Sequence, residues 1–127
     1  MPDPTYLTAE DLVMVAATAN GGPVAVRDYG LLDAAASRPR ASAFGQDAYT
    51  SIHTKAAALM QSIVMNHALV DGNKRLGWLA TYVFYDLNSY DVEASTGQGF
   101  DLTMAVINDK LDVDTIAEHL ARMTKPR

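Results

Sequence analysis

The chain has 127 residues, of which 49% are hydrophobic and 20% charged, a balance that excludes a disordered or fibrous protein. A chain of this length can bury a core without metals or disulfides, so we expect one domain spanning residues 1–127. Cysteine is absent, which excludes thiol catalysis and disulfides. The net charge is -5 and the basic residues are scattered, which argues against direct DNA binding.

The sequence also lacks the features of a secreted or membrane protein. Residues 1–4 show neither the basic segment nor the apolar run of a signal peptide. No stretch reaches the roughly 18 apolar residues that are needed to cross a bilayer. We therefore expect a cytoplasmic protein without a membrane partner.

The first two predicted elements are helices. Thr8 precedes acidic residues and a series of apolar ones, which predicts an N-capped helix that closes at residues 20–22. Asp28 is the predicted cap of a shorter helix, and Pro39 lies just past its end. Residues 39–47 have no clear period and carry turn residues, which predicts a loop or a short hairpin.

Two long apolar segments follow. Between about residues 50 and 66 the apolar positions fall at helical spacing, and residues 76–87 are apolar on most sides, which predicts two buried helices. Beyond them residues 90–94 alternate weakly, and Gly97 and Gly99 are expected to break the chain. Further helices are predicted over residues 102–111 and from the cap Asp112 to about residue 123. The pattern is that of an all-α protein.

Residues 67–75 interrupt this apolar pattern, between the two long predicted helices, and read His-Ala-Leu-Val-Asp-Gly-Asn-Lys-Arg. A helix start leaves backbone N–H groups unpaired and carries a partial positive charge. Gly72, Asn73 and Lys74, at the head of the second helix, are therefore candidate phosphate ligands. Arg75, one turn in, is a candidate phosphate clamp through two N–H donors.

Two other residues of this segment are candidates for chemistry. Asp71 stands where a carboxylate would hold Mg²⁺, the ion that usually accompanies nucleotide phosphates. An imidazole can accept a hydroxyl proton near neutral pH, so His67 is a candidate general base. The residues alone leave a second interpretation open, in which the segment is only a turn, a helix cap and a solvated basic pair.

The segment resembles the signature of the Fic/Doc family, in which His, an apolar anchor, Asp or Glu, Gly or Ala, Asn, Gly or Lys, and Arg stand at this spacing. Six of the seven fixed positions match, and Leu69 stands where the family has Phe. The length of the chain is similar to that of the short death-on-curing branch. The resemblance implies an all-α, single-domain Fic fold of about six helices, with a short flap before the motif helix.

Within that resemblance, Lys74 bears on the reaction. Family members that transfer AMP carry Gly at this position and a second Arg three residues after the first, where this chain has Trp78. A side chain at position 74 fills space that phosphate oxygens need and attracts phosphate from another side. The resemblance therefore implies a kinase that moves the terminal phosphate of ATP, with Mg²⁺, to a threonine of elongation factor Tu and so blocks translation.

Two alternatives stay open. The first is transfer of AMP or another nucleotidyl group by the same fold. The second is a non-catalytic partner-binding domain that keeps the motif as a phosphate-binding helix cap. In the kinase mechanism the resemblance gives the base to His67, the metal to Asp71 and the phosphates to residues 72–75.

The resemblance also implies partners. In Fic proteins a flap aligns the target segment, and the matching residues here are Ala43, Phe44 and Gly45. Phe44 either touches the substrate or, as is commoner for an aromatic residue in a loop, covers the core. The chain lacks the self-inhibitory pattern of Ser or Thr, three residues, Glu, then Gly or Asn. The family then implies a separate Phd-like antitoxin that acts in trans.

The remaining clusters favour structural roles. His53 and His119 have no partner at metal-ligand spacing, which favours surface or capping positions. The acidic residues between 109 and 114 lack the pattern of a calcium loop, which favours capping. Core packing is the predicted role of a group of large side chains: Met60, Met65, Tyr82, Phe84 and Tyr85.

Overall fold

The computed structural model describes residues 3–127, which form six α-helices and two small antiparallel sheets. The helices are α1 (Ala9–Asn20), α2 (Tyr29–Ser37), α3 (Ile52–Asn66), α4 (Asn73–Leu87), α5 (Thr96–Asn108) and α6 (Val113–Arg122). A 3-10 turn, Arg38–Arg40, follows α2. Strands β1 (Ser42–Ala43) and β2 (Gln46–Asp47) form a hairpin, and β3 (Tyr90–Val92) pairs with β4 (Thr124–Pro126). The predicted helical fold is confirmed. The expectation that residues 1–4 are not part of a signal peptide falls partly on Met1 and Pro2, which lie outside the described residues.

Side-chain caps explain where most helices begin. The predicted caps Thr8, Asp28 and Asp112 each accept a hydrogen bond from a backbone N–H in the first turn of their helix. α3 and α5 begin with capping boxes that start at Ser51 and Ser95. α4 differs, because its N-cap is a glycine and no described side chain caps it. The first N–H groups of α4 are therefore open to another partner.

α3 lies at the centre of the helical core, where it packs mainly against α4 and α6. Gly77 lets α3 and α4 approach closely, since a Cβ there would lie 2.2 Å from Cγ1 of Val64. Val64 is near the end of α3 and Gly77 is in the second turn of α4. This contact therefore fixes how the end of α3 and the start of α4 face each other.

The C-terminal part differs from the prediction at α5 and at the last strand. Gly97 and Gly99 do not break the chain but lie inside α5, which begins at Thr96 rather than near residue 102. Gly99 serves packing, because a Cβ there would lie 2.2 Å from Cε2 of Trp78. Residues 124–126, for which the sequence predicted no element, form β4 and pair with β3.

Most of the large side chains assigned to the core are buried, but two are not. Met60, Phe84 and Tyr85 are fully buried, whereas Met65 is 37% and Tyr82 is 44% exposed. These two lie on faces of α3 and α4 that other elements leave open. No helix within residues 3–127 is both long enough and apolar enough to cross a membrane.

Candidate active site

A pocket of about 830 Å³ lies where α3 ends and α4 begins. Six residues that the sequence singled out contribute to its wall: His67, Asp71, Gly72, Asn73, Lys74 and Arg75. The rest of the wall comes from the end of α1, the loop between α3 and α4, the second turn of α4, and α5: Ala19, Val70, Trp78, Leu79, Thr96, Phe100 and Thr103. The pocket thus combines a polar, cationic part at the helix start with an apolar part toward α5.

His67 follows the last residue of α3 and has a left-handed backbone conformation, with φ 52° and ψ 53°. In a residue other than glycine this conformation costs roughly 1–3 kcal/mol, so the surrounding structure has to hold it. The side chain is exposed and forms part of the pocket wall. The imidazole can therefore reach the hydroxyl of a group bound in the pocket.

The loop between α3 and α4 is held by a separate segment, residues 25–28. Val26 and Leu69 form an isolated antiparallel bridge. Beside it, three backbone N–H groups donate between residues 25–28 and 68–70, at 2.8 to 3.0 Å. The loop conformation is thus fixed by pairing with a distant part of the chain, which local sequence patterns do not indicate.

The start of α4 has the geometry of an anion site. Gly72 caps the helix with a φ of 89°, a conformation that favours glycine. The N–H of Leu76 donates to the Gly72 carbonyl at 2.9 Å, so the N–H groups of residues 73–75 have no partner within the helix. A Cβ at Gly72 would meet nothing within 4 Å, so the backbone conformation explains this glycine. The helix dipole favours an anion at the same place.

Lys74 and Arg75 add two exposed cations to the pocket wall. None of the ion pairs formed within residues 3–127 involves either side chain. The chain as a whole has a net charge of -5. The two positive charges are therefore available to an anionic ligand and stand out against the acidic surroundings.

Asp71 and Asn73 shape the loop as well as the pocket. Oδ1 of Asp71 accepts the N–H of Gly72 at 2.9 Å, which leaves the other carboxylate oxygen for a ligand. The side chain of Asn73 accepts the N–H of Leu69 at 2.9 Å and donates to the carbonyl of Leu69 at 3.0 Å. This amide therefore fixes the loop. The prediction that Asn73 binds phosphate fits its backbone N–H better than its side chain.

The side chains around Asp71 show whether this site could bind the predicted Mg²⁺ ion. Asp71 is the only acidic residue in the wall of this pocket, within the described part of the chain. No three His, Cys, Asp or Glu side chains of residues 3–127 are grouped so that they could hold a metal. Mg²⁺ is commonly held by one or two carboxylates together with substrate phosphates and water. The residues present fit a Mg²⁺ ion that binds together with a nucleotide.

The predicted flap is a hairpin. Its strands pair Ser42 with Asp47 and Ala43 with Gln46, and Phe44 and Gly45 form the turn with φ of 54° and 77°. Phe44 is fully exposed, so the interpretation that it covers the core is wrong. Ala43, Phe44 and Gly45 are not part of the pocket wall. Their role in aligning a target stays a prediction.

Two cationic side chains hold the base of this hairpin. Lys55 of α3, only 3% exposed, donates to the Asp47 carboxylate at 3.2 Å and to the Tyr49 carbonyl at 2.5 Å. Arg38 donates to the Tyr49 hydroxyl at 2.9 Å and to Oε1 of Gln61 at 2.7 Å. Lys55 lies about 16 Å along the helix axis from the last residue of α3. The hairpin is therefore attached to α3 at the end away from the pocket.

The prediction for His53 was wrong, since this side chain neither lies on the surface nor caps a helix. It is partly buried, its Nδ1 lies 2.8 Å from the Tyr85 hydroxyl, and its ring packs against Tyr85 and Tyr90. Burial lowers the pKa of His53. His119 lies in the last turn of α6 beside Arg122. Neither histidine belongs to the pocket wall.

The sequence missed part of the pocket wall. Thr96 and Phe100 lie in α5, in the stretch that two glycines were expected to interrupt. Phe100 is 57% exposed, so its ring is accessible from the pocket. The missing signal is the contact between Gly99 and Trp78, which only the packing of α4 on α5 reveals.

Comparisons with known proteins agree with this geometry. A sequence model of the Fic/DOC family matches residues 6–85, a range that includes the hairpin, α3 and the whole of residues 67–75. The chain is also 47% identical over 118 residues to the protein named Toxin Doc of Mycolicibacterium smegmatis, and the alignment covers 91% of each chain. The family model matches more than half of the chain, and the relative covers nearly all of it. The chain therefore belongs to the Fic/DOC family.

Proposed function

We propose that the chain is a Doc-type toxin of a toxin–antitoxin pair, a protein kinase that transfers the γ-phosphate of ATP to a hydroxyl of a protein target. By the family resemblance the target is a threonine of elongation factor Tu, and its modification blocks translation. The supporting observation is that His67, the open start of α4 and two unpaired cations share one pocket. The similarity to a protein named Toxin Doc supports the toxin assignment.

The proposed step needs a base and a phosphate site that face each other. His67 takes the proton of the target hydroxyl, and the hydroxyl oxygen forms a bond to the γ-phosphorus. The bond from that phosphorus to the β–γ bridging oxygen breaks, and ADP leaves. Such a reaction depends on positioning and charge stabilisation rather than on a covalent protein intermediate.

The start of α4 supplies the charge stabilisation. The N–H groups of residues 73–75 and the side chains of Lys74 and Arg75 bind phosphate oxygens. A carboxylate oxygen of Asp71 would hold Mg²⁺, which would neutralise phosphate charge. The side chain of Asn73 keeps the loop between base and phosphates in one conformation.

Position 74 supports phosphate transfer over AMP transfer. The Lys74 side chain is exposed in the pocket wall, where family members that transfer AMP have glycine. Trp78 occupies the position of their second arginine and packs against Gly99 instead of offering a guanidinium. A nucleotide in this pocket would therefore contact the Lys74 ammonium where those proteins have an unobstructed glycine. It would contact the Trp78 ring where they have a second arginine.

Two further parts of the proposal concern partners. The exposed apolar side chains Phe100 and Tyr82 lie on α5 and α4, and Phe100 belongs to the pocket wall. They support an apolar contact with a Phd-like antitoxin that acts in trans. The hairpin is only two strands wide within the described residues, and an exposed strand edge supports addition of a target segment.

The experiment uses elongation factor Tu and ATP labelled at either the α- or the γ-phosphate. We expect γ-label on the target and no α-label. Transfer of α-label would replace the kinase by a nucleotidyl transferase. Absence of both labels would favour a domain that binds partners without catalysis.

Two variants serve as controls in that assay. His67→Ala should abolish transfer, and transfer that survives this change would show that His67 is not the base. Lys74→Gly introduces the residue that AMP-transferring relatives have at this position. We expect it to lose γ-transfer while retaining the native circular dichroism spectrum, because residue 74 is exposed in the first turn of α4.

A further inference from the structure

Arg27, which lies outside the motif, contacts the residue that carries the proposed base. Its Nε donates to the carbonyl oxygen of His67 at 3.0 Å, and one terminal nitrogen donates to the same oxygen. That nitrogen also lies 3.5 Å from the carbonyl oxygen of Asn66. The guanidinium therefore sits on the last carbonyls of α3, which have no partners within the helix.

The contact between the Arg27 guanidinium and the His67 carbonyl stabilises the end of α3 and restricts the backbone at His67. A cation at a helix C-terminus is favoured by the helix dipole. Two donors of a planar guanidinium on one carbonyl also restrict the orientation of that peptide group. A helix that ends in the left-handed conformation usually has glycine there, whereas this one has His67 with φ 52°. Arg27 thus compensates for a conformation that the residue itself does not favour.

Arg27 has no evident role in binding the ligand. It does not belong to the wall of the 830 Å³ pocket. It also takes part in none of the ion pairs within residues 3–127. Its backbone N–H donates separately to the carbonyl of Ala68 at 2.8 Å, so the segment remains attached to the loop without the side chain.

We propose that Arg27 is a positioning residue for the transfer reaction, which holds the His67 imidazole toward the phosphate site through the carbonyl of His67. The inference rests on the proposed function in one respect, that His67 acts as the base. It adds a residue about 40 positions before the motif to the machinery of the site. The guanidinium acts on the geometry of His67 and not on the nucleotide.

The kinetic test compares Arg27→Gln and Arg27→Lys with wild-type protein in the label-transfer assay. A displaced base slows the chemical step, so we expect kcat to fall by about 10- to 100-fold in Arg27→Gln, with KM for ATP within about twofold. Arg27→Lys keeps the charge but not the two-pronged contact, so it should recover part of kcat. Arg122→Gln, which removes an exposed arginine of α6, should behave as wild type.

A second measurement does not depend on activity. The chain has three histidines, so the side-chain signals in a ¹H–¹³C NMR spectrum can be assigned with single His→Gln variants. We expect Arg27→Gln to shift or broaden the His67 signal while those of His53 and His119 stay in place. Unchanged His53 signals report that the core is intact, because that ring packs against Tyr85 and Tyr90.

The two measurements separate failure of this inference from failure of the proposed function. If wild-type protein transfers no label but Arg27→Gln still moves the His67 signal, Arg27 does orient His67 and it is the kinase assignment that fails. An unmoved His67 signal would overturn the positioning role whatever the activity. A raised KM for ATP with unchanged kcat would also overturn it, because Arg27 would then contact the nucleotide.

Discussion

A histidine lies at each end of α3, and the two differ in burial and in the contacts that fix them. At the first turn, His53 is partly buried among Tyr85 and Tyr90, next to a capping box that closes the helix with its own residues. At the other end, His67 is exposed in the pocket and the helix is closed by a guanidinium from a distant segment. The first end, here called the structural end, is thus capped by local side chains. The second, here called the functional end, is capped by a side chain 40 positions away in the sequence.

The difference has a physical reason. A base has to remain accessible to its substrate, so complete burial cannot hold it and the supporting contacts have to come from the residues around it. The protein fixes the backbone of residues 67–73 instead, through Arg27, the side chain of Asn73 and the bridge between Val26 and Leu69. At the start of α3, burial itself restricts the side chains, and the hairpin is attached there through Lys55. Mutations at the two ends should therefore affect different properties.

The largest expected effect comes from His67→Ala at the functional end. Loss of a general base typically slows a reaction by about 10²- to 10⁴-fold. The side chain is exposed, so the unfolding temperature should stay close to that of wild type. Label transfer to the target and a thermal melt, measured on the same preparation, check both statements. A large drop in stability would mean that the two ends do not differ as described.

Lys55→Met tests the structural end and should mainly lower stability. Methionine has nearly the same length but leaves the carbonyl of Tyr49 without its donor, so we expect a loss of about 1–3 kcal/mol in the free energy of unfolding. Lys125→Met is the matched control, since its pairing with Glu93 at 3.7 Å is exposed and contributes little. Urea unfolding of both variants measures the difference. Equal losses would show that burial of Lys55 does not matter.

His53→Gln tests the structural end of α3 through the pH dependence of stability. Burial lowers the pKa of His53 below its ordinary value of 6.5, so the unfolded chain binds a proton more tightly than the folded one. The wild-type protein should therefore lose stability as the pH falls below about 6.5, and this loss should be smaller in His53→Gln. Urea unfolding at about pH 8 and pH 5.5 gives the comparison. Parallel losses in the two proteins would contradict the assignment.

The sequence was sufficient for the elements that local residues determine. Caps such as Thr8 and Asp112 and the helical spacing before residue 66 predicted helix positions that the structure confirms. The sequence also singled out six residues between positions 67 and 75 as a candidate site, because all six lie in one short segment of the chain. The structure brings these six residues to one pocket.

What the sequence could not predict depends on contacts between distant residues. Glycine usually weakens a helix, yet Gly99 lies within α5, and a Cβ at this position would collide with Trp78. Arg27 has no motif around it, and its contact with His67 spans 40 positions. β3 and β4 are separated in the sequence by α5 and α6, so their pairing depends on how those two helices pack. In each case tertiary packing, not local propensity, decides the structure.

Phe44 lies at the turn of the hairpin that is attached to the structural end of α3. Its replacement should have the smallest effect on stability. The ring at the hairpin turn is fully exposed, so Phe44→Ala should change the free energy of unfolding by less than about 0.5 kcal/mol. If the hairpin aligns the target, the KM for the protein target should rise several-fold while the KM for ATP is unchanged, because Phe44 is not in the pocket wall. Met14→Ala, which removes another exposed apolar side chain on α1, is the control. An unchanged KM for the target would mean that the hairpin serves only the structural end of α3.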